Sequence, residues 1–191
     1  MSMVMTAAPA VEPVTLAQAK AHLRVDDTAE DAYISSLIVT SRLQIEAALG
    51  LALITQSWRW TIDDWPGSSA LDLPIRPVQQ ITSIQVVHAI GAATTVSASS
   101  YQLDGRGSPP RIVLTTLSPP IPDQPADGIA ISMVAGFGPL ATDVPEPIRH
   151  ALLLLVAHWF ECRQAIADEQ HPAGIPVAVN SLLTPYRLVR L

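Results

Sequence analysis

TQSWRWTIDDWP, residues 55–66, decides the fold, because the hydrophobic period changes there. Before Gly50 apolar residues recur at helical spacing, and from Ile54 onward they alternate. Ile54, Trp58, Trp60 and Ile62 take one phase, while Thr55, Ser57, Arg59, Thr61 and Asp63 take the other, with Gln56 the irregular member of the apolar side. The stretch reads as a half-buried strand that stops at the turn-rich Asp63-Asp64-Trp65-Pro66-Gly67. Its phase assigns Ile54, Trp58, Trp60 and Ile62 to the core of a β lobe, since large rings dominate local burial. The alternative makes the lobe a carbohydrate or receptor-binding module in which Trp58, Trp60 and Trp65 stack on a ligand.

Outward from this strand toward the N-terminus, two helices are expected. Thr15 opens a short one in TLAQAKAHLRV, with Leu16, Ala19 and Leu23 on one face. Thr28-Ala-Glu-Asp31 resembles a capping box and starts a second, which runs through Ile34, Leu37, Ile38, Ser41, Ile45 and Leu49 to Gly50. Residues 1–14 contain no Lys or Arg and no long apolar run, so they read as a flexible arm and not as a signal peptide.

On the other side of residues 55–66, Pro74 and Pro77 confine LDLPIRP to an extended edge, and ITSIQVV gives a β-branched strand. Further strands are expected at 94–97, 101–104, 111–116 and 129–137, with Gly105-Arg106-Gly107 at a hairpin tip. Asp143, Pro145 and Glu146 mark the start of a long helix, IRHALLLLVAHWFECRQ, apolar almost all round. A membrane span needs about 20 consecutive apolar residues, and Arg149, His150, His158 and Glu161 interrupt this run. It reads instead as a helix buried against other helices or neighbouring subunits. The apolar segment VAVNSLLTPYRLVRL has no core of its own and is expected to dock on something. The fold class is α+β: a small helical bundle with an inserted antiparallel β lobe and an extended C-terminal tail. Its parts are an arm at 1–14, a single domain at 15–165 (helices 15–50, β insertion 51–138, long helix 145–165), and a loop and docking tail at 166–191.

Composition narrows the function. The net charge is −6 with no basic cluster, which argues against a surface that holds a nucleic-acid backbone. Charged residues make up 15%, below the roughly 25% of an ordinary soluble domain, so part of the apolar surface is expected to meet partners. The single cysteine, Cys162, excludes an intrachain disulfide and points to the cell interior. Asp63, Asp64 and Asp72 lack further spaced ligands, and the i, i+4 pairs Glu146/His150 and His158/Cys162 have no companion His or Cys pair, so all read as structural. No GxSxG, Walker or GxGxxG motif is present, and neither an enzyme nor a cofactor is expected.

Taken in order, VTLAQAKAHLRVDD, a helix ending in LG, LALITQSWRWTIDDWP, LPIRPVQQITSIQVV, YQLDG, VPEPIRHALLLLVAHWFECR and LLTPYR carry a resemblance from Thr15 to Arg187. The chain resembles the head-tail connector (adaptor, head-completion) proteins of long-tailed phages, prophages and phage-derived gene transfer agents. The proline-bounded LPIRPVQQI and the LLTPYR ending are its most specific parts. The resemblance implies a structural protein of the virion or phage-like particle, assembled in the bacterial cytoplasm. It implies a self-assembled ring, typically of twelve subunits, beneath the portal protein, which carries a tail-side stopper or terminator protein and lets DNA pass without specific binding or any membrane. On that reading Leu182, Leu183, Pro185, Tyr186, Arg187, Leu188 and Leu191 are candidates for portal docking, and Leu152, Leu155, Trp159 and Phe160 for the subunit interface. The arm before Thr15 and SPPIPDQPADG at 118–128 map onto no part of the family.

Overall fold

The computed structural model describes residues 1–88, 91–115, 119–162 and 175–188. The chain divides into two compact units, Met1–Ala10 with Gly50–Phe137 and Val11–Leu49 with Gly138–Leu191, where a single domain was expected. The two periodicities bury their apolar faces separately, and each closes its own core.

In the first unit, β1 (Ser2–Ala7), β2 (Gln56–Ile62), β8 (Ile129–Ala135), β4 (Val78–Val87) and β5 (Ala93–Thr95) form a five-stranded sheet in the order β1-β2-β8-β4-β5. A three-stranded sheet follows the order β3-β7-β6, from Ala70–Asp72, Arg111–Leu114 and Tyr101–Asp104. All these strand pairs are antiparallel. β2 runs in unbroken register against β8, from Gln56 opposite Ala135 to Ile62 opposite Ile129. Both sheets turn apolar residues into one core: Trp60, Ile62, Ile84, Ile131 and Met133 from the larger, and Leu71 and Ile112 from the smaller. LPIRP makes the edge between β3 and β4, with Leu73 and Ile75 buried and the two prolines where no ladder hydrogen bond is required. Gly105–Gly107 lies in the β6–β7 connection, where Asp104 pairs with Arg111.

The expected flexible arm is corrected. Residues 2–7 pair antiparallel with β2, Val4 opposite Arg59 and Met3 opposite Trp60. MSMVMTA alternates at period two, and the outer edge of β2 offers it a row of backbone partners.

The second unit is helical. α1 (Leu16–Leu23) has the expected cap: the Gln18 amide N–H donates to Thr15 Oγ1 at 3.2 Å, and the Thr15 N–H donates to Gln18 Oε1 at 3.0 Å. α2 (Asp31–Leu49) begins at Asp31 and not at Thr28, because the Asp27 carboxylate captures the Ala29 N–H at 3.0 Å and turns the chain first. It stops at Gly50, which has φ +63. α3 (Glu146–Glu161) buries Ile148, Ala151, Leu152, Leu155 and Val156; its expected continuation to 165 passes beyond Cys162, outside the described residues.

The extended C-terminal tail is also corrected. Val177–Leu183 forms a fourth helix, α4, followed by a 3-10 turn at Thr184–Tyr186, and it packs on α3. Val179 and Leu183, four residues apart, supply the buried seam.

Candidate assembly surfaces

The tryptophan stretch is committed to the interior of its own unit. Trp60 and Ile62 are buried in the core of the lobe and Trp58 is half-buried against it, while Ile54 is buried without belonging to that cluster. Gln56, the polar interruption, is buried with them. Trp58 Nε1 is buried without a hydrogen-bond partner among the described residues, whereas Trp65 Nε1 donates to the Pro120 carbonyl at 2.7 Å. The rings therefore present no exposed stacking row. Trp65 ties the proline-rich segment to the lobe, a contact between residues 55 apart that no local pattern encodes.

Of the acidic candidates, Asp63 and Asp64 are turn-formers, while Asp72 is exposed at the end of β3. Asp63 accepts the Asp127 N–H at 3.0 Å, and Asp64 accepts the Trp65 N–H at 2.7 Å. His158 Nδ1 and Cys162 Sγ are 3.9 Å apart, and the His22 and His150 rings meet edge to face at 6.3 Å. Among the described residues no three His, Cys, Asp or Glu side chains are grouped to hold a metal ion, and no helix is long and apolar enough to cross a membrane.

The interface and docking candidates divide by burial. Leu152 and Leu155 are each 1% exposed inside their own unit, so the expectation that they meet a neighbouring subunit is corrected; Trp159 and Phe160 remain half-exposed. The run of four leucines at 152–155 gave no way to tell which would meet the chain's own helices. Leu183 is likewise withdrawn from the docking set by its burial against α3. Leu182, Tyr186 and Leu188 are half-buried, Pro185 and Arg187 are exposed, and Leu191 lies outside the described residues.

A buried ionic cluster holds α2 to the segment before α1. Arg42 Nε donates to Glu12 at 2.7 Å and its Nη1 to Glu46 at 2.8 Å, while Arg149 Nε donates to the Pro13 carbonyl at 3.2 Å. Burial alone would lower the Arg42 pKa, but the hydrogen bond to Glu12 and the charges of Glu46 and Glu12 outweigh it and raise the value. Sequence periodicity did not single out this cluster. Its trace was the placement of Arg42 and Glu46 beside Ser41 and Ile45, on the stripe that faces inward.

The chain belongs to the head completion protein family, which it matches over residues 13–189, and it is not an enzyme. No curated protein matches it. Chains of solved structures do. A chain in the neck of an empty GTA particle, computed with C6 symmetry, is 28% identical over 100% of this chain and 97% of that one, with a TM-score of 0.87. A chain in the virion of a native gene transfer agent (GTA) particle is 28% identical with the same coverage and a TM-score of 0.86. One in the neck of a native GTA particle, computed with C12 symmetry, is 29% identical, again over 100% and 97%, with a TM-score of 0.78. The α+β class and the family resemblance are borne out.

Proposed function

We propose that this head completion protein joins the capsid to the tail of a gene transfer agent or related phage-like particle, as a ring of identical copies beneath the portal protein. The observation that carries the reading is the full-length similarity to neck proteins of GTA particles, at 28% and 29% identity, in reconstructions with C6 and C12 symmetry. Twelve copies is the ring number that the second symmetry favours.

The ring continues the DNA passage. A chain of net charge −6 with no basic cluster suits a wall along which a polyanion moves without being held. Pro185, Tyr186, Arg187 and Leu188, which follow α4 and keep exposed surface, are the portal-docking candidates together with Leu182 and Leu191. Trp159 and Phe160 remain candidates for contact between subunits. The tail-side face receives a stopper or terminator protein.

The test is to tag the chain at its N-terminus in particle-producing cells, purify it gently, and both identify and image what accompanies it. Capsid, portal and tail proteins with ring-bearing particles are expected. A lone protein recovered while particles are being made would overturn the assignment.

A further inference from the structure

α2 reverses the usual arrangement of a surface helix. Its charged residues beyond the first turn, Arg42 and Glu46, are buried, while its exposed positions from Ala32 to Ala48 carry no charge. Ser36, Val39, Thr40, Leu43, Gln44 and Ala47 make up most of this face, with Val39 36% and Leu43 47% exposed. A helix face left to water normally carries charged side chains. The hydroxyls here are already satisfied, Ser36 Oγ donating to the Tyr33 carbonyl at 2.7 Å and Thr40 Oγ1 to the Ser36 carbonyl at 2.8 Å. Covering them orphans no donor. Val39 also closes one side of an apolar groove of about 230 Å³, whose other walls include Val11, Val14, Leu16 and Ile38.

A second face without carboxylates lies on α4, which contains no charged residue of its own, although Arg187 Nη2 donates to its Asn180 Oδ1 at 3.0 Å. Val177 is 80% exposed, Ser181 Oγ donates to the Val177 carbonyl at 3.1 Å, and Thr184 Oγ1 donates to the Asn180 carbonyl at 2.8 Å. Among the described residues α4 packs on α3, whereas α2 packs on α1 and α3. The two faces therefore lie on different helices of the unit.

We infer that the outward face of α2 seats α4 of a second copy of this chain, Val177 entering beside Val39 and Leu43. The inference rests on the ring reading above and names its contact. A closed ring needs two different patches per subunit that fit each other, and unit 2 supplies two that match in character. Charge selects a second copy as the occupant. Each copy carries −6, so copies repel unless the surfaces that meet are free of carboxylates.

The experiment places the photo-crosslinking residue p-benzoylphenylalanine at Leu43 of the full chain in particle-producing cells. Irradiation is expected to give adducts at multiples of 20.4 kDa, with a peptide spanning 177–187 of this same chain attached. A cross-link to any other protein, or particles that contain the chain without adducts, overturns the pairing and leaves the connector reading standing. A wild-type chain missing from particles overturns both. In parallel, Leu43→Glu should lower recovery of the chain in particles about tenfold or more, with the melting temperature of the purified chain unchanged. Val177→Lys in the same chain should restore part of that loss. Unchanged recovery of Leu43→Glu would also overturn the pairing.

Discussion

Gly136 ends β8 at φ +131, and a Cβ there would lie 2.6 Å from the backbone of Ile54 and Thr55. Its N–H donates to the Pro77 carbonyl at 2.9 Å, so the segment cannot simply swing away. Gly136→Ala combines a disfavoured dihedral with a backbone clash and should cost about 3 kcal/mol or more, read from urea unfolding. Arg42 offers the electrostatic counterpart. Arg42→Met removes the cation shared by Glu12 and Glu46, an expected loss of about 3–5 kcal/mol in the same measurement. Converting Glu12 to Gln and Glu46 to Leu in that background should recover part of it, because the two carboxylates then no longer face each other across the lost guanidinium. Asp104 titrates. The Arg106 backbone N–H first, and then the Arg111 guanidinium, hold its carboxyl below the ordinary value. A depressed carboxyl adds stability that is complete above the unfolded value of about 3.9 and is lost as pH falls through the folded one. An NMR titration should place the Asp104 midpoint below 3.9, and Arg111→Ala should move it upward.

At the scale of elements, the C-terminal segment separates packing from docking. Leu183→Ala removes a buried side chain from the α3–α4 seam and should cost about 2–3 kcal/mol. Tyr186→Ala with Leu188→Asp should leave stability within about 1 kcal/mol and yet abolish attachment to portal rings in a pull-down. These outcomes divide a segment that the sequence presented as one tail. Pro185 and the Pro- and Gly-containing stretch before residue 177 masked a helix of only seven residues, too short for periodicity to declare itself. β2 was legible because its residues alternate and it stops at Asp63, and β6 and β8 because Gly105 and Gly136 follow them. β1 was not, since nothing in MSMVMTA names the distant strand it joins. The four-leucine run identified a buried helix but not its partner, and so Leu152 and Leu155 were placed at a surface that they do not reach. The uncharged face of α2 escaped notice because a pattern of apolar residues locates the inward stripe and says nothing about where charge is missing.

For the whole molecule, acidity sets the relation to DNA. The chain should give no mobility shift with duplex DNA at 0.15 M salt; binding that weakens with a steep logarithmic salt slope would instead reveal phosphate contacts. The order in which the units are written along the chain sets a different limit. Each is discontinuous, the lobe needing Met1–Ala10 as well as Gly50–Phe137, and the helical unit needing Gly138–Leu191 as well as Val11–Leu49. On the ribosome, β1 emerges first and waits roughly fifty residues for β2. α1 and α2 wait longer still, because the helix that covers them is translated after the entire lobe. A chain cut short anywhere before Glu146 therefore has no finished helical unit.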